Sequence, residues 1–499
     1  MRRNLPNIIL IVLDSVGAKH LSVYGYHRQT TPNLERLAEE CMVYTRCFAP
    51  ACWTIPSHAS LFTGLYPSRH GAYEGRLWGG ENVPHLVSIL KMSGYRTLGI
   101  SANGLVSPAT GLCRDFDYFE DLGVSDLNDF LYYCEKAGQH KDELSVALAK
   151  GIGALEKSAI LLRYMFKTWQ FKKSFDKISP AIRYRIGNLI KPSPQFKSTL
   201  FTEKSLTICR DLLNWHYAKE KQPFFLFINF IEAHDRYCPP LKFRKFSHWY
   251  DRQPHSPHDS YRKNIVRLDR LMNKYCKLYD DAIYYLDHIL NQIWVILKEL
   301  SLVGNTFIII TSDHGEHFGE KRMYNHISSL YNELIWVPLI MRLPKEFNLK
   351  GVDSRLVSLT DLYQTILDLI DSPMPTAKDS ISLLSGSKRE LAVSQNIYPE
   401  FFQNWINILT EVWRIGGADF SPHDMAVITA SGLKIIERRD GSLEVYDLNQ
   451  DMGESRNLVP LLSPETLEDC HAIVDFHKKD TNYHEAVARM RLLEESQLK

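Results

Sequence analysis

The chain has 499 residues, enough for one large α/β domain with appendages or for two to three domains. Its 59 basic and 58 acidic side chains nearly cancel, so the overall charge offers no electrostatic footprint for nucleic acid. Nine cysteines, scattered without C-x-x-C pairs or zinc-finger spacing, argue against a disulfide framework and suit reduced thiols in a cytoplasm.

The opening Met1-Arg-Arg mimics the charged start of an export signal, but the apolar run covers only Ile8–Leu13 and stops at Asp14. That is too short for a signal or a spanning helix, and a buried parallel strand is expected. Residues 51 to 71 read as a loop that enters a short helix and leaves through a turn, offering Cys52, several hydroxyls, His58 and His70. Further strand-length apolar runs follow at Thr97–Ser101, Phe224–Phe230, Phe307–Thr311 and Val337–Met341, with helix-like segments between them. This alternation predicts an α/β fold, a mostly parallel sheet covered by helices on both faces. Reactive groups collect at the carboxyl ends of such strands, where Asp14, His234, Asp313 and His314 fall.

From about 127 to 222 the pattern changes to a helical insertion without strand signals. Between Lys136 and Lys197 it holds 13 basic residues against four acidic ones, interleaved with Leu161, Tyr164, Phe166, Trp169 and Phe171. Packing of its apolar face on its own domain is one expectation; peripheral contact with an anionic membrane is the other. Residues 1–370 are expected to form the α/β catalytic domain. Beyond about Asp371 the alternation stops, and Val427–Ala430, Leu433–Glu437 and Leu443–Tyr446 predict a small antiparallel subdomain within 371–499, closed by a charged helix from about Pro464.

Charged groups at the tips of buried strands are explained by a divalent cation, although a lone Asp there also serves as a helix cap and Asp-His-Gly also makes a turn. In chain order, Asn7-Ile-Ile-Leu-Ile-Val-Leu-Asp14, Thr31-Pro-Asn-Leu-Glu-Arg-Leu-Ala38, Pro56-Ser-His-Ala-Ser-Leu-Phe-Thr-Gly64, Phe224 to His234, Thr311-Ser-Asp-His-Gly-Glu-His-Phe-Gly-Glu320 and Glu444-Val-Tyr-Asp-Leu448 resemble the sulfatase family of the alkaline-phosphatase superfamily. The resemblance implies Asp14, Asp313 and His314 as ligands of one divalent metal ion.

Formylglycine sulfatases modify the first residue of a C-x-P-S-R or S-x-P-S-R motif. Pro56 and Ser57 set that frame here, so the first position is Thr54 and the Arg position is His58. Thr cannot become the aldehyde, because its Cβ carries a methyl group, so an unmodified Thr54 hydroxyl is expected as nucleophile and fourth metal ligand. Ser15 stands where such sulfatases typically carry a second Asp, and His314 where they carry Asn, so their all-oxygen calcium site is not matched. Mn or Zn is therefore favoured over Ca.

By the same resemblance, His234 protonates the leaving oxygen and His326 contacts the transferred group. The expected activity is hydrolysis or transfer of a sulfate or phosphate ester, phosphodiesters included, on a small-molecule, glycan or lipid-linked substrate. The alternative is a catalytically degenerate protein that binds a glycan or lipid head group.

Overall fold

The computed structural model describes residues 5–72, 83–123, 194–219, 222–235, 237–248, 268–326, 329–374, 376–397 and 423–479. An eight-stranded sheet organises them, in the order β10 (Gly351–Ser358), β2 (Met42–Phe48), β9 (Leu339–Arg342), β6 (Thr306–Thr311), β1 (Asn7–Leu13), β5 (Phe224–Phe230), β3 (Arg96–Ser101) and β4 (Tyr118–Asp121). Only β9 runs against its neighbours, pairing antiparallel with β2 and β6. The expected mostly parallel α/β sheet is thus present.

Its centre is apolar for a physical reason: β1, β5 and β6 are buried along their whole lengths. Each buried Ile, Leu, Val or Phe there contributes roughly 1.5–3 kcal/mol, and β-branched side chains suit the pleated surface. The helix Leu268–Glu299 repeats its buried residues at helical spacing, with Met272, Tyr275, Tyr279, Ile283, Leu286, Ile289, Leu290 and Ile293 on one face. It packs against Pro32–Ala38 and Pro194–Lys219. A second group joins Thr54–Thr63 to Asp361–Leu369 and Leu86–Met92. Thr54–Thr63 is buried at every position, so it carries no polar face that sequence periodicity could reveal.

Four strands of the two larger sheets were not anticipated. β2 contains Thr45 and Arg46, β4 is half-exposed, and β10 breaks register between Asp353 and Leu356, so none reads as an apolar run. The fourth, β11 (Leu391–Gln395), borders a separate antiparallel sheet with β12 (His423–Thr429), β13 (Leu433–Arg438) and β14 (Leu443–Asp447). The last three contain the predicted C-terminal strand segments apart from Ala430, and Pro464–Lys479 packs on β12 and β13 through Cys470, Ile473 and Val474. Most of the basic insertion, residues 124–193, lies outside the described residues; its end is the helix Pro194–Lys219. No helix among the described residues is long and apolar enough to cross a membrane.

The segment between β1 and Pro32–Ala38 is tied down by Asp280. His20 Nδ1 lies 3.0 Å from its Oδ1, while the Tyr26 hydroxyl and the Arg28 guanidinium donate to Oδ2. Burial opposes a charge on His20, but the contacts with Asp280 and Cys276 together outweigh it and the pKa is pushed up to about 9. A raised imidazole pKa contributes stability that is complete below the unfolded value near 6.5 and is lost as pH rises through about 9. His20→Asn should therefore cost about 3 kcal/mol in denaturant unfolding near pH 6 and much less near pH 10. A cost independent of pH would contradict this.

Candidate active site

β1 lies between β5 and β6 in parallel register, Leu13 opposite Phe230 and Val12 opposite Thr311. Their carboxyl ends therefore emerge at one edge, and the loops that follow are stitched together. Ser15 N and His314 N both donate to Asp313 Oδ1, at 3.1 and 2.9 Å, and Val16 N donates to Ser312 Oγ at 2.9 Å. Ser15 adopts φ 64°, a conformation costly for a residue with a Cβ, and the Tyr279 hydroxyl holds this turn by donating to Ser15 O and accepting from Gly17 N. Gly315 is required sterically, because a Cβ there would meet Glu333 O at 2.1 Å.

Asp14, Asp313 and His314 are buried with one ligand atom each, all within 4.8 Å of one another. His314 Nδ1 donates to Gly315 O at 3.0 Å, which leaves the Nε2 lone pair turned into the site. Asp313 Oδ2 has no hydrogen-bond partner and lies 3.4 Å from that Nε2. Asp14 Oδ2 accepts from Asn103 Nδ2 at 2.7 Å. Burial alone would raise the Asp14 pKa, but the His234 and His314 imidazoles and the Asn103 amide hold it low. Asp313 goes the other way, pushed up by burial and by the Asp14 charge. A carboxylate oxygen without a hydrogen-bond partner, a second carboxylate and an imidazole lone pair converging in a buried site fit a divalent cation.

Thr54 opens the helix Thr54–Thr63, with Trp53 as extended N-cap. Pro56 is tolerated there because the first turn needs no backbone donors, and Gly64 ends the helix at φ 67°. The Thr54 hydroxyl is buried and lies 3.4 Å from His314 Nε2, and the helix N-terminus favours negative charge beside it. Cys52 is buried in the hydrophobic core.

His326 and His234 lie beside this group. The His326 ring centroid is 4.4 Å from that of His314 and 4.9 Å from that of His234. It is delivered by a two-stranded hairpin, β7 (His317–Phe318) with β8 (Tyr324–Asn325). Its Nδ1 is 3.3 Å from both Glu316 oxygens. Burial, reinforced by the His314 and His234 imidazoles, pushes the His326 pKa well down; burial and Asp235 push Glu316 well up. Burial thus opposes a charge on either partner of this contact.

All six residues singled out from the sequence, Asp14, Thr54, His234, Asp313, His314 and His326, come together at this sheet edge. Asn103 and Glu316, which hold Asp14 and His326, were missed. Asn103 follows the end of β3, the same strand-end position that identifies Asp14. His58 donates from Nδ1 to Thr54 O at 2.9 Å, and the same nitrogen lies 3.5 Å from Asp313 Oδ2. His70 and His317 bond Ser60 and Ser329, with burial bringing their pKa values down to about 3 and about 4. A second group, His20, Cys276 and Asp280, has ligand-like spacing, but the Arg28 guanidinium already sits on Asp280, so it reads as the ion-pair network described above.

The fold resembles the phosphonate monoester hydrolase of Agrobacterium radiobacter, with a TM-score of 0.62 and 16% identity over 95% of each chain. It also resembles a 2-O GAG sulfatase, with a TM-score of 0.63 and 16% identity over 96% of this chain and 94% of that one. In sequence the chain is 23% identical to an arylsulfatase of Clostridium perfringens, over 91% of this chain and 90% of that one. It is also 23% identical to an N-acetylgalactosamine-6-O-sulfatase of Bacteroides thetaiotaomicron, over 94% and 92%. The sulfatase family model matches residues 6–372, and with the strand-end cluster inside that span, the chain belongs to the sulfatase family of ester hydrolases.

Proposed function

We propose that the chain hydrolyses or transfers a sulfate or phosphate ester through an unmodified Thr54 hydroxyl, with Asp14, Asp313, His314 and Thr54 holding one divalent cation. The observation that carries this reading is the approach of Thr54 Oγ1 to His314 Nε2, 3.4 Å, at the helix N-terminus facing the two carboxylates. When bound, the cation would lower the hydroxyl pKa and offset charge on the transferred group. Two carboxylates and an imidazole suit Mn or Zn better than Ca.

Thr54 attacks the ester in line, and His234 gives a proton to the departing alcohol oxygen. His234 is half-buried, with Nδ1 3.4 Å from Asp235 O, so the proton it gives from Nε2 is that of the imidazolium form, which becomes neutral in the transfer. His326, held by Glu316, orients the transferred group by hydrogen bonding. Water or an acceptor alcohol then resolves the Thr54 ester. A formylglycine hydrate has a second hydroxyl and releases sulfate by elimination; Thr54 has no such exit, which favours phosphoryl chemistry.

Kinetics on an aryl sulfate, a phosphate monoester, a phosphodiester and a phosphonate monoester test this. Turnover of a phosphorus ester above that of the sulfate is expected, and turnover of the sulfate alone would overturn the phosphoryl preference.

A further inference from the structure

The loops that carry Asp14, Thr54 and His314 lean on one short element. The helix Asn332–Ile335 is buried at every position, and the carbonyls at its end brace all three loops. Leu334 O accepts from Gly315 N at 2.7 Å, Trp336 O from Ala18 N at 3.0 Å and Ile335 O from Ala49 N at 2.8 Å. Gly315 O in turn orients the His314 imidazole, and the Glu333 carbonyl fills the space that a side chain at Gly315 would need. Where this helix sits therefore governs how the three loops meet.

The helix is itself fixed by the C-terminal sheet. Glu454 Oε2 accepts from Asn332 N at 2.7 Å, Lys434 Nζ on β13 donates to Asn332 Oδ1 at 2.9 Å, and the same Nζ lies 2.5 Å from Glu454 Oε1. Asn332 Nδ2 adds a bond to Met452 O at 3.0 Å. Lys321, in the turn of the β7–β8 hairpin that delivers His326, donates to Gly453 O at 3.0 Å, so the residue before Glu454 holds the hairpin as well. Lys434 and Glu454 are only 0% and 1% exposed. Burial pushes the Lys434 pKa down and the Glu454 pKa up, and their mutual attraction offsets this in part. Stability alone explains such a pair poorly, because apolar side chains of similar volume often hold a fold as well or better, whereas paired charges fix the register of the groups they bond.

We infer that Lys434 and Glu454 are positioning residues: through Asn332 they set the helix against which the metal loops close, so the C-terminal sheet governs metal affinity and turnover. This inference rests on the metal-dependent ester chemistry proposed above.

Calorimetric titration of the chelator-stripped protein with Mn²⁺, together with steady-state kinetics on the ester it turns over best, tests it. Lys434→Met and Glu454→Gln, the latter keeping an oxygen for Asn332 N, should each weaken Mn²⁺ binding by roughly 10- to 100-fold and lower kcat at saturating metal, with KM for the ester nearly unchanged. Val445→Ala is the control, since Val445 lies in the core on the opposite face of the same sheet. It should lower the unfolding midpoint and leave Mn²⁺ affinity and kcat at the wild-type level. Variants of the pair that behave as Val445→Ala does, or loss of the fold in both, would overturn the positioning role and leave the ester chemistry standing. Ester turnover by a wild-type protein that binds no Mn²⁺ would instead overturn the metal reading; a fall in kcat at unchanged KM would then still support the pair, and wild-type kcat would overturn it.

Discussion

Thr54→Ala is expected to abolish turnover, lowering kcat/KM by roughly 10⁴-fold or more, because it removes the attacking oxygen and one proposed metal ligand together. Thr54→Ser should retain part of the activity, since the hydroxyl survives and only a methyl group is lost. Cys52→Ala should retain most of it. Cys52 sits in the hydrophobic core two residues before the helix, so its loss costs packing rather than chemistry. The contrast separates the two residues sharply, since a formylglycine enzyme built on Cys52 would show the reverse ranking. Full activity in Thr54→Ala would contradict the register drawn from Pro56 and Ser57.

Asp313→Asn and His314→Ala should each lose bound metal and activity together. Asp313→Asn keeps the shape of the side chain and an oxygen for the Ser15 and His314 backbone donors, but it removes the charge of the carboxylate whose Oδ2 has no hydrogen-bond partner. His314→Ala removes the Nε2 lone pair that the Gly315 carbonyl orients. Elemental analysis after Mn or Zn supplementation should find about one ion per wild-type chain and far less in either variant. Activity should fall by more than about 100-fold, beyond the effect of disturbing a supporting residue. Wild-type metal content in both variants would remove these residues from the metal site.

The parts of the fold legible in the sequence were those dominated by burial. β1, β5 and β6 are apolar along their lengths because both faces of a central parallel strand are covered, and this also exposed Asp14, Asp313 and His314 as polar groups at strand ends. β2, β4 and β10 escaped because they are mixed in polarity or irregular in register. The Thr54 helix escaped an amphipathic reading because it is buried all round. In the site, the ordered motifs brought forward the groups that converge at the strand ends. The supporting pairs Asn103 with Asp14 and Glu316 with His326 join residues through tertiary folding or a hairpin, and no local spacing announces them. The downward push on the His326 pKa is likewise invisible in the sequence, since it arises from burial beside two other imidazoles.

Rapid-quench mass spectrometry of the tryptic peptide that contains Cys52 and Thr54 tests the nucleophile most directly. With a slowly resolved substrate, the peptide should carry one added phosphoryl or sulfuryl group on Thr54, with Cys52 unmodified. An aldehyde at Cys52, or a transferred group on any other residue, would contradict catalysis by an unmodified Thr54 hydroxyl.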